Sequence, residues 1–407
     1  MDTVPSRIGR SPLILLALWS ISCGDPGARP DSVGPPDSVA FSAPRPLLVL
    51  GDWSGDGGTD FQDIVGAFVD REAGVVVIGN SGDGTVRFFN MDGDPRKSLG
   101  GIGDGPDEFQ RLGGVFEYRG DSVLAFDRWE YRASLWPYEG GRVRWVSIED
   151  LPVDLRFPTL RGSLRDGRLL WTAEAVDDRY DEPGVSHSRL VTVFLTSPEG
   201  RGFQAIGETA GAMLYRYRSS RFARGMAPFS PRAFAAADDS VVYFGSTRFP
   251  RAMRVSSAGM PLESVRFDSG RRALSLPQKE ADLTIRRSQV ERRPPTPLRA
   301  ARLAELELLP YPDSLPAMGA IVVGRDGRLW VADYVPPQSG ADQVFPGSRR
   351  WAAYSELARK RQAYHFPERF RLFWADEAMA VGVVQDTLDV ERIVVAPVAE
   401  EERGGRR

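Results

Sequence analysis

The chain has 407 residues, 42% hydrophobic and 26% charged, with a formal net charge of −3. That balance supplies ample core but no electrostatic footprint for nucleic acid, which is excluded as a partner. A single cysteine, Cys23, and two histidines, His187 and His365, exclude an intrachain disulfide and leave too few soft ligands for the usual zinc site.

Arg7 and Arg10 precede the apolar run Leu13–Trp19, and Ser20-Ile21-Ser22-Cys23 follows. Charged, apolar and small-residue regions in that order form a secretory signal, too short to span a bilayer. Cys23 falls where cleavage would leave it N-terminal, so residues 1–22 resemble a bacterial lipoprotein signal, which implies a lipid on Cys23. The expected location is the bacterial cell envelope, periplasm or outer membrane, with the lipid as the one membrane contact. Residues 23–45, rich in Pro, Asp, Ser and Gly, read as a disordered tether.

The next stretch offers one metal-like spacing. Asp52, Ser54, Asp56, Gly58, Asp60 and Asp63 place oxygens at loop positions one, three, five, seven, nine and twelve, with Gly57 at the turn. A hard cation needs several oxygens converging on a sharply turned loop, so calcium is the cofactor this spacing suggests. Asp63 is shorter than the bidentate Glu such loops carry, and the flanks read as strands. The competing reading is an exposed Gly/Asp-rich link.

From Ile64 the chain repeats a four-strand unit with tight turns between strands. IVGAFVD, GVVVIGN, TVRFFN and PRKSLG form the first unit, and GGVFEY, SVLAF, ASLW and RVRWVSI, within Gly113–Ile148, form the second. Gly66, Gly114 and Gly162 recur at one spacing, a period of about 50 residues that marks a β-propeller. The third unit starts at Thr159 with TLRGSL, RLLWTAEA, SRLVTVFL and GFQAIG; the fourth holds PRAFAAA, SVVYFGS, AMRVSS and PLESVRF. A fifth is expected from MGAIVVG, RLWVADY and, much later, RFRLFWA, with MAVGVVQ and VERIVVAPV as the last strands. A ring of sheets must join its ends or leave edges exposed, so Pro46–Leu50 is expected to complete the C-terminal blade.

Two motifs carry a family resemblance: Gly101-Ile-Gly-Asp-Gly-Pro-Asp-Glu-Phe109 and the stretch Gly382–Val395, GVVQDTLDVERIVV. They resemble the six-bladed, NHL-like (TolB-like) β-propeller lipoproteins of bacteria, over roughly Pro46–Val398. The resemblance implies an all-β fold, a single propeller of six blades over residues 46–398, with a disordered tail at 399–407.

Consecutive strands in a blade are antiparallel, so connections alternate between the two faces of the disc. The tight turns fall on one face. The long insertions, Asp177–Ser188, Glu208–Ser230, Asp268–Pro316 and Tyr334–Glu368, fall on the other, which marks it as the working surface. Helical insertions are expected at about 270–312 and 340–366, including Lys279–Arg293 and Thr296–Leu309. The arginines of the first (Arg271, Arg272, Arg286, Arg287, Arg292, Arg293, Arg299, Arg302) read first as a solvated helix face and second as an anion patch. Trp351, Tyr354, Tyr364, His365 and Phe366 in the second read first as lid packing and second as a sugar platform.

Catalytic motifs are missing: no G-x-S-x-G, H-E-x-x-H, phosphate loop or C-x-x-C occurs. Polar residues just after second strands, Asn80, Asp127, Arg128, Asp333 and Tyr334, are the channel-mouth candidates, though Asn and Asp also suit turns for their own reasons. The reading is a lipid-anchored module that binds a protein, glycan or small molecule through its loop-rich face. The competing class is a hydrolase or lyase with a metal-assisted site at the channel mouth.

Overall fold

The computed structural model describes residues 46–51, 60–105, 107–138, 140, 143–176, 184, 186–218, 224–269, 272–337, 348, 350–355, 361–386 and 388–398. The signal, Cys23, the tether, segment 52–59 and the 399–407 tail lie outside them.

β1 (Leu48–Leu50) belongs to the last sheet. The first sheet is β2 (Ile64–Asp70), β3 (Val75–Asn80), β4 (Thr85–Asn90) and β5 (Pro95–Gly100). The second is β6 (Leu112–Tyr118), β7 (Ser122–Asp127), β8 (Arg132–Pro137) and β9 (Arg144–Ser147). The third has five strands: β10 (Leu155–Ser163), β11 (Leu169–Ala175), β12 (Ser186–Thr196), β13 (Gln204–Arg216) and β14 (Arg224–Met226). The fourth is β15 (Ala233–Ala237), β16 (Val241–Ser246), β17 (Arg251–Ser256) and β18 (Pro261–Arg266). Helices α1 (Leu276–Glu291) and α2 (Pro297–Leu306) precede the fifth sheet, β19 (Ile321–Val323), β20 (Leu329–Ala332), β21 (Arg350–Tyr354) and β22 (Arg361–His365). β23 (Phe370–Ala375), β24 (Met379–Gln385) and β25 (Glu391–Pro397) complete the chain.

Every sheet is antiparallel, and six sheets stand among the described residues. The first strand of each touches the first strand of the next: β2 meets β6, β6 meets β10, β10 meets β15, β15 meets β19, β19 meets β23, and β23 returns to β2. A closed ring of radial sheets is a β-propeller. β1 pairs with β25, Leu48 opposite Val395 and Leu50 opposite Ile393, so the N-terminal segment closes the C-terminal blade as expected.

The core lies in the layers between blades. β3 is buried at all six positions, and its Val77 and Ile78 belong to one buried cluster with Val115 of the next blade. Phe126 meets Trp171 edge to face at 5.9 Å across blades two and three. Each such side chain contributes roughly 1.5–3 kcal/mol on burial. The repeated glycines have a structural cause here. Pairing shifts register at Ile64/Gly66, Leu112/Gly114 and Leu160/Gly162, so the same bulge recurs in three first strands. At Gly66 a Cβ would stand 2.7 Å from the Val115 carbonyl oxygen, which only glycine avoids.

The Gly-rich family motif also resolves into packing. A Cβ at Gly103 would collide with the Glu108 carboxylate, which accepts the Gly105 amide at 2.8 Å. Phe109 N–H donates to the Gly101 carbonyl at 2.8 Å, and its buried ring sits 6.2 Å from Trp136. The segment is a wrapped link that plugs Phe109 between blades one and two.

Three expectations need correction. RFRLFWA is not the third strand of blade five but the innermost strand, β23, of the last blade. The region 340–366 is not a helical insertion in its described part: Arg350–Tyr354 and Arg361–His365 are strands β21 and β22. The open edge of β20 needs a partner; β21 pairs with it and β22 pairs with β21. Glu208–Ser230 is largely strand as well, because β13 runs on to Arg216 and turns back as β14.

Candidate functional site

The turns from first to second strand are short in every sheet and share one face, here the turn face. The opposite loop face carries what rises above the disc. β12, β13 and β14 extend beyond it, with Ser186 opposite Tyr215 and Leu214 opposite Met226. α1 and α2 lean on that extension through Leu283, Leu303 and Leu306 against Tyr215 and Ala227. Ser275 caps α1 with a reciprocal capping box, and Thr296 caps α2, which fixes where both begin. Between them, Asp282 is buried and takes Arg286 Nε at 2.7 Å and the Tyr311 hydroxyl at 2.7 Å. The result is a wall over blades three to five.

Four arginines of this insertion are engaged by neighbouring groups. Arg286 pairs with Asp282, Arg287 pairs with Glu307 at 2.6 Å, Arg272 donates to the Tyr334 carbonyl, and Arg299 donates to the Arg293 carbonyl at 2.9 Å. Trp351, Tyr364 and Phe366 are buried in the layer between blades five and six; Trp330 lies 4.6 Å from Tyr364.

The channel-mouth candidates separate by environment. Asn80 is buried; its Oδ1 accepts the Gln62 amide at 2.7 Å and its amide donates to Asp83 at 2.8 Å. Asp127 is fully buried and accepts the amides of Gln110 at 2.8 Å and Trp129 at 2.9 Å, with Arg111 and Glu130 slightly longer. Both residues latch the incoming blade link to the end of a second strand. Thr247 repeats the device in blade four, accepting the Arg232 amide at 2.8 Å. Arg128 packs over Gly113, where a Cβ would lie 2.8 Å from its own. Asp333 is half exposed and faces Arg350 at 4.0 Å. Tyr334 is buried beside Phe229 and Leu315, and that burial pushes its phenol up. These five are spread over blades one, two and five.

Of the calcium spacing, Asp52, Ser54, Asp56 and Gly58 lie outside the described residues. Asp60 is exposed, and its carbonyl accepts Arg87 Nη1 at 3.0 Å. Asp63 stands at φ 56° just before β2 and lies within electrostatic reach of Arg128 and Arg371. Among the described residues, no group of three or more His, Cys, Asp or Glu could hold a metal ion.

Two features escaped the sequence reading. The first is an exposed aromatic group on the loop face: Trp129 (67% exposed) and Tyr131 (37%) in the β7–β8 turn, with Phe157 (53%) on β10. The Tyr131 and Phe157 rings are 6.3 Å apart. Tyr131 has φ 53° and Phe157 φ 55°, a left-handed backbone that costs a bulky residue roughly 1–2 kcal/mol. Phe157 also lies in a bulge, between Arg156 and Thr159, and bulges re-aim side chains. Trp129-Glu130-Tyr131 falls in the turn signal Asp127–Tyr131 between the second and third strands. The only available sign was two aromatics where a turn wants small polar residues.

The second is a cavity of about 450 Å³ at the centre of the turn face. It is lined from blades one, two, five and six: Asp70 and Arg71, Glu117, Arg325, and Asp376 with Glu377. Arg325 bonds the Glu117 carboxylate, joining blade five to blade two across the ring. Arg71 reaches Asp376 at 3.2 Å and Glu377 at 3.1 Å, joining blade one to blade six. Burial pushes the Glu117 carboxyl up; Arg325 opposes the rise, and the Asp70 and Asp239 charges add to it. Charged residues ending apolar first strands were the available signal, but beside a turn they look like ordinary turn residues.

No family model matches the chain, and no curated protein matches it. Solved structures similar to it include a Bacteroides fragilis protein described as exported (12% identity, 89% of this chain and 100% of that one, TM-score 0.46). A calcium-binding regucalcin from Agrobacterium tumefaciens matches at 12% identity over 89% of this chain and 97% of its own, TM-score 0.42. A virginiamycin B lyase from Staphylococcus aureus matches at 10% over 87% and 89%, TM-score 0.40. Such values carry neither activity nor ligand over to this chain.

Proposed function

We propose that this β-propeller is a lipid-anchored, extracytoplasmic binding module that takes a protein or glycan chain on its loop face. The observation that carries the reading is the aromatic group Trp129, Tyr131 and Phe157, held out to solvent beside the blade-three wall. Exposed rings cost solvation and strained backbone costs stability, so a fold that keeps both gains nothing from them as packing. Flat rings on a rigid sheet edge lose little entropy on contact, which suits recognition of an extended partner. The location and the NHL-like lipoprotein family rest on the residues around Cys23 and on the two family motifs. No helix among the described residues is long and apolar enough to cross a membrane.

Two experiments test this. Labelled palmitate should mark the wild-type protein in a bacterial host and leave Cys23→Ala unmarked; equal labelling would remove the anchor. A photo-crosslinking amino acid at Trp129 should give discrete higher-mass adducts in cells, while the same probe at Arg165 on the turn face gives none. Adducts from Arg165 alone would move the working surface to the other face.

A further inference from the structure

Arginines of the middle blades are held differently on the two faces. On the turn face Arg144 reaches Glu199 at 3.4 Å and Arg165 reaches Asp239 at 3.4 Å. On the loop face Arg111, Arg128, Arg156 and Arg161 form no ion pair among the described residues. Arg156 Nη1 donates to the Val153 and Leu155 carbonyls at 2.6 and 2.8 Å, and Arg161 Nε to the Thr172 hydroxyl at 3.0 Å, all neutral acceptors. Arg161 takes in blade three the bulge position that Gly113 takes in blade two, and the Arg128 side chain lies over Gly113, so both stand on innermost strands at the loop-side rim. Water reaches Arg161, yet the protein crowded around it pushes its guanidinium down with no neighbouring charge to oppose the shift. Arg128 is pushed down by burial and by the like charge of Arg111, with Asp63 opposing. Guanidiniums held without carboxylates favour an anion from outside.

These cations are interleaved with the exposed rings. Arg128 precedes Trp129, and Arg156 precedes Phe157, whose ring is 6.3 Å from that of Tyr131. Acids are present beside them: Glu130 and Asp154 are exposed, but neither pairs with an arginine among the described residues. A partner that suits this surface needs flat apolar faces for the rings and carboxylates for the guanidinium forks, both repeated along a chain. A uronic-acid sugar has the two in one unit, the C–H face of its ring and the carboxylate at its edge. An acidic peptide has the carboxylates without the flat face, and a neutral glycan has the face without the charge.

Resting on the loop-face reading above, we infer that the partner is an acidic glycan, a chain of uronic-acid sugars that stacks on Trp129, Tyr131 and Phe157 and sets its carboxylates on Arg111, Arg128 and Arg156, with Arg161 at the inner end. Calorimetric titration of the purified protein with hexamers of galacturonate, mannuronate and guluronate, at fixed ionic strength, tests it, with maltohexaose and hexaglutamate for comparison. Saturable binding of at least one hexauronate is expected, about tenfold tighter than either comparison ligand. Trp129→Ala and Arg128→Gln should each weaken it several-fold, and Glu130→Gln, which removes an exposed like charge, should tighten it. Should Arg128→Gln fail to fold, the other two variants, at exposed positions, still decide. No saturable heat from any hexauronate at millimolar concentration overturns the inference. So does binding that these variants leave unchanged, or hexaglutamate binding as tight as the hexauronate's, which would assign the surface to an acidic protein. Adducts from the Trp129 probe that persist in cells then leave the loop-face reading standing; their absence removes that reading too.

Discussion

The Asp127 carboxylate gathers backbone amides from both sides of a blade junction: Gln110 and Arg111 from the incoming link, Trp129 and Glu130 from the outgoing turn. Removing it strands those donors in a buried place, so Asp127→Ala should cost about 2–4 kcal/mol in urea denaturation. Asp333→Ala, at a half-exposed ion pair, should change stability by less than about 0.5 kcal/mol in the same assay. Two residues alike in sequence thus separate by burial alone. Glu117 gives a pH signature. Its carboxyl is raised when folded, so the folded state holds the proton more tightly than the unfolded chain. Its contribution is therefore full below the ordinary glutamate value and lost as pH rises through the folded one. Thermal melts of Glu117→Gln should depend less on pH than wild type as pH rises above the ordinary glutamate value. A wild-type Tm that climbs more steeply than the variant's over that window would reverse the assignment.

Among the elements, β1 is short but closes the ring. It covers β25, where Ile393 and Val395 are fully buried. Deleting the chain through Leu50 would expose that edge and its apolar face together. The expected outcome is loss of a cooperative melt by circular dichroism, with aggregation seen by light scattering. Substituting within the repeated bulge is milder. Gly66→Ala forces a Cβ against the Val115 carbonyl of the neighbouring blade, and should cost about 1–3 kcal/mol by urea denaturation. The aromatic group lies at the other extreme. Trp129→Ala leaves little behind to collapse, so its Tm should match wild type while adducts from the same probe placed at Tyr131 weaken.

Over the whole molecule, each blade shares its core with both neighbours, and the first and last blades are joined several times. Besides β1, Glu391 accepts the Ile64 amide at 2.7 Å and Arg371 donates to the Ile64 carbonyl. Arg71 to Asp376 adds a third link at the turn face. A ring so closed should unfold as a unit: far-ultraviolet dichroism and tryptophan fluorescence should give one coincident urea transition. The two faces divide the remaining work. The loop face carries the wall and the exposed rings, and the turn face carries a charged cavity.

Much of this architecture was legible in the residues themselves. Alternation with period two, glycine at a constant interval and turn residues between strands are local signals, and local sterics cause all three, so blades one to four appear in order. The role of Pro46–Leu50 followed from counting edges. The structural use of Asn80 and Asp127 agrees with the turn chemistry of their residue types. What followed from tertiary structure alone depends on partners far apart in the chain. Arg350–Tyr354 and Arg361–His365 became strands because β20 offered an edge, and RFRLFWA thereby moved to the last blade. Glu117 meets Arg325 across 208 positions, and Asp70 is a buried carboxylate only because four blades converge on it. Sequence distance carries no trace of such meetings. They exist because a ring brings the ends of its first strands to one axis.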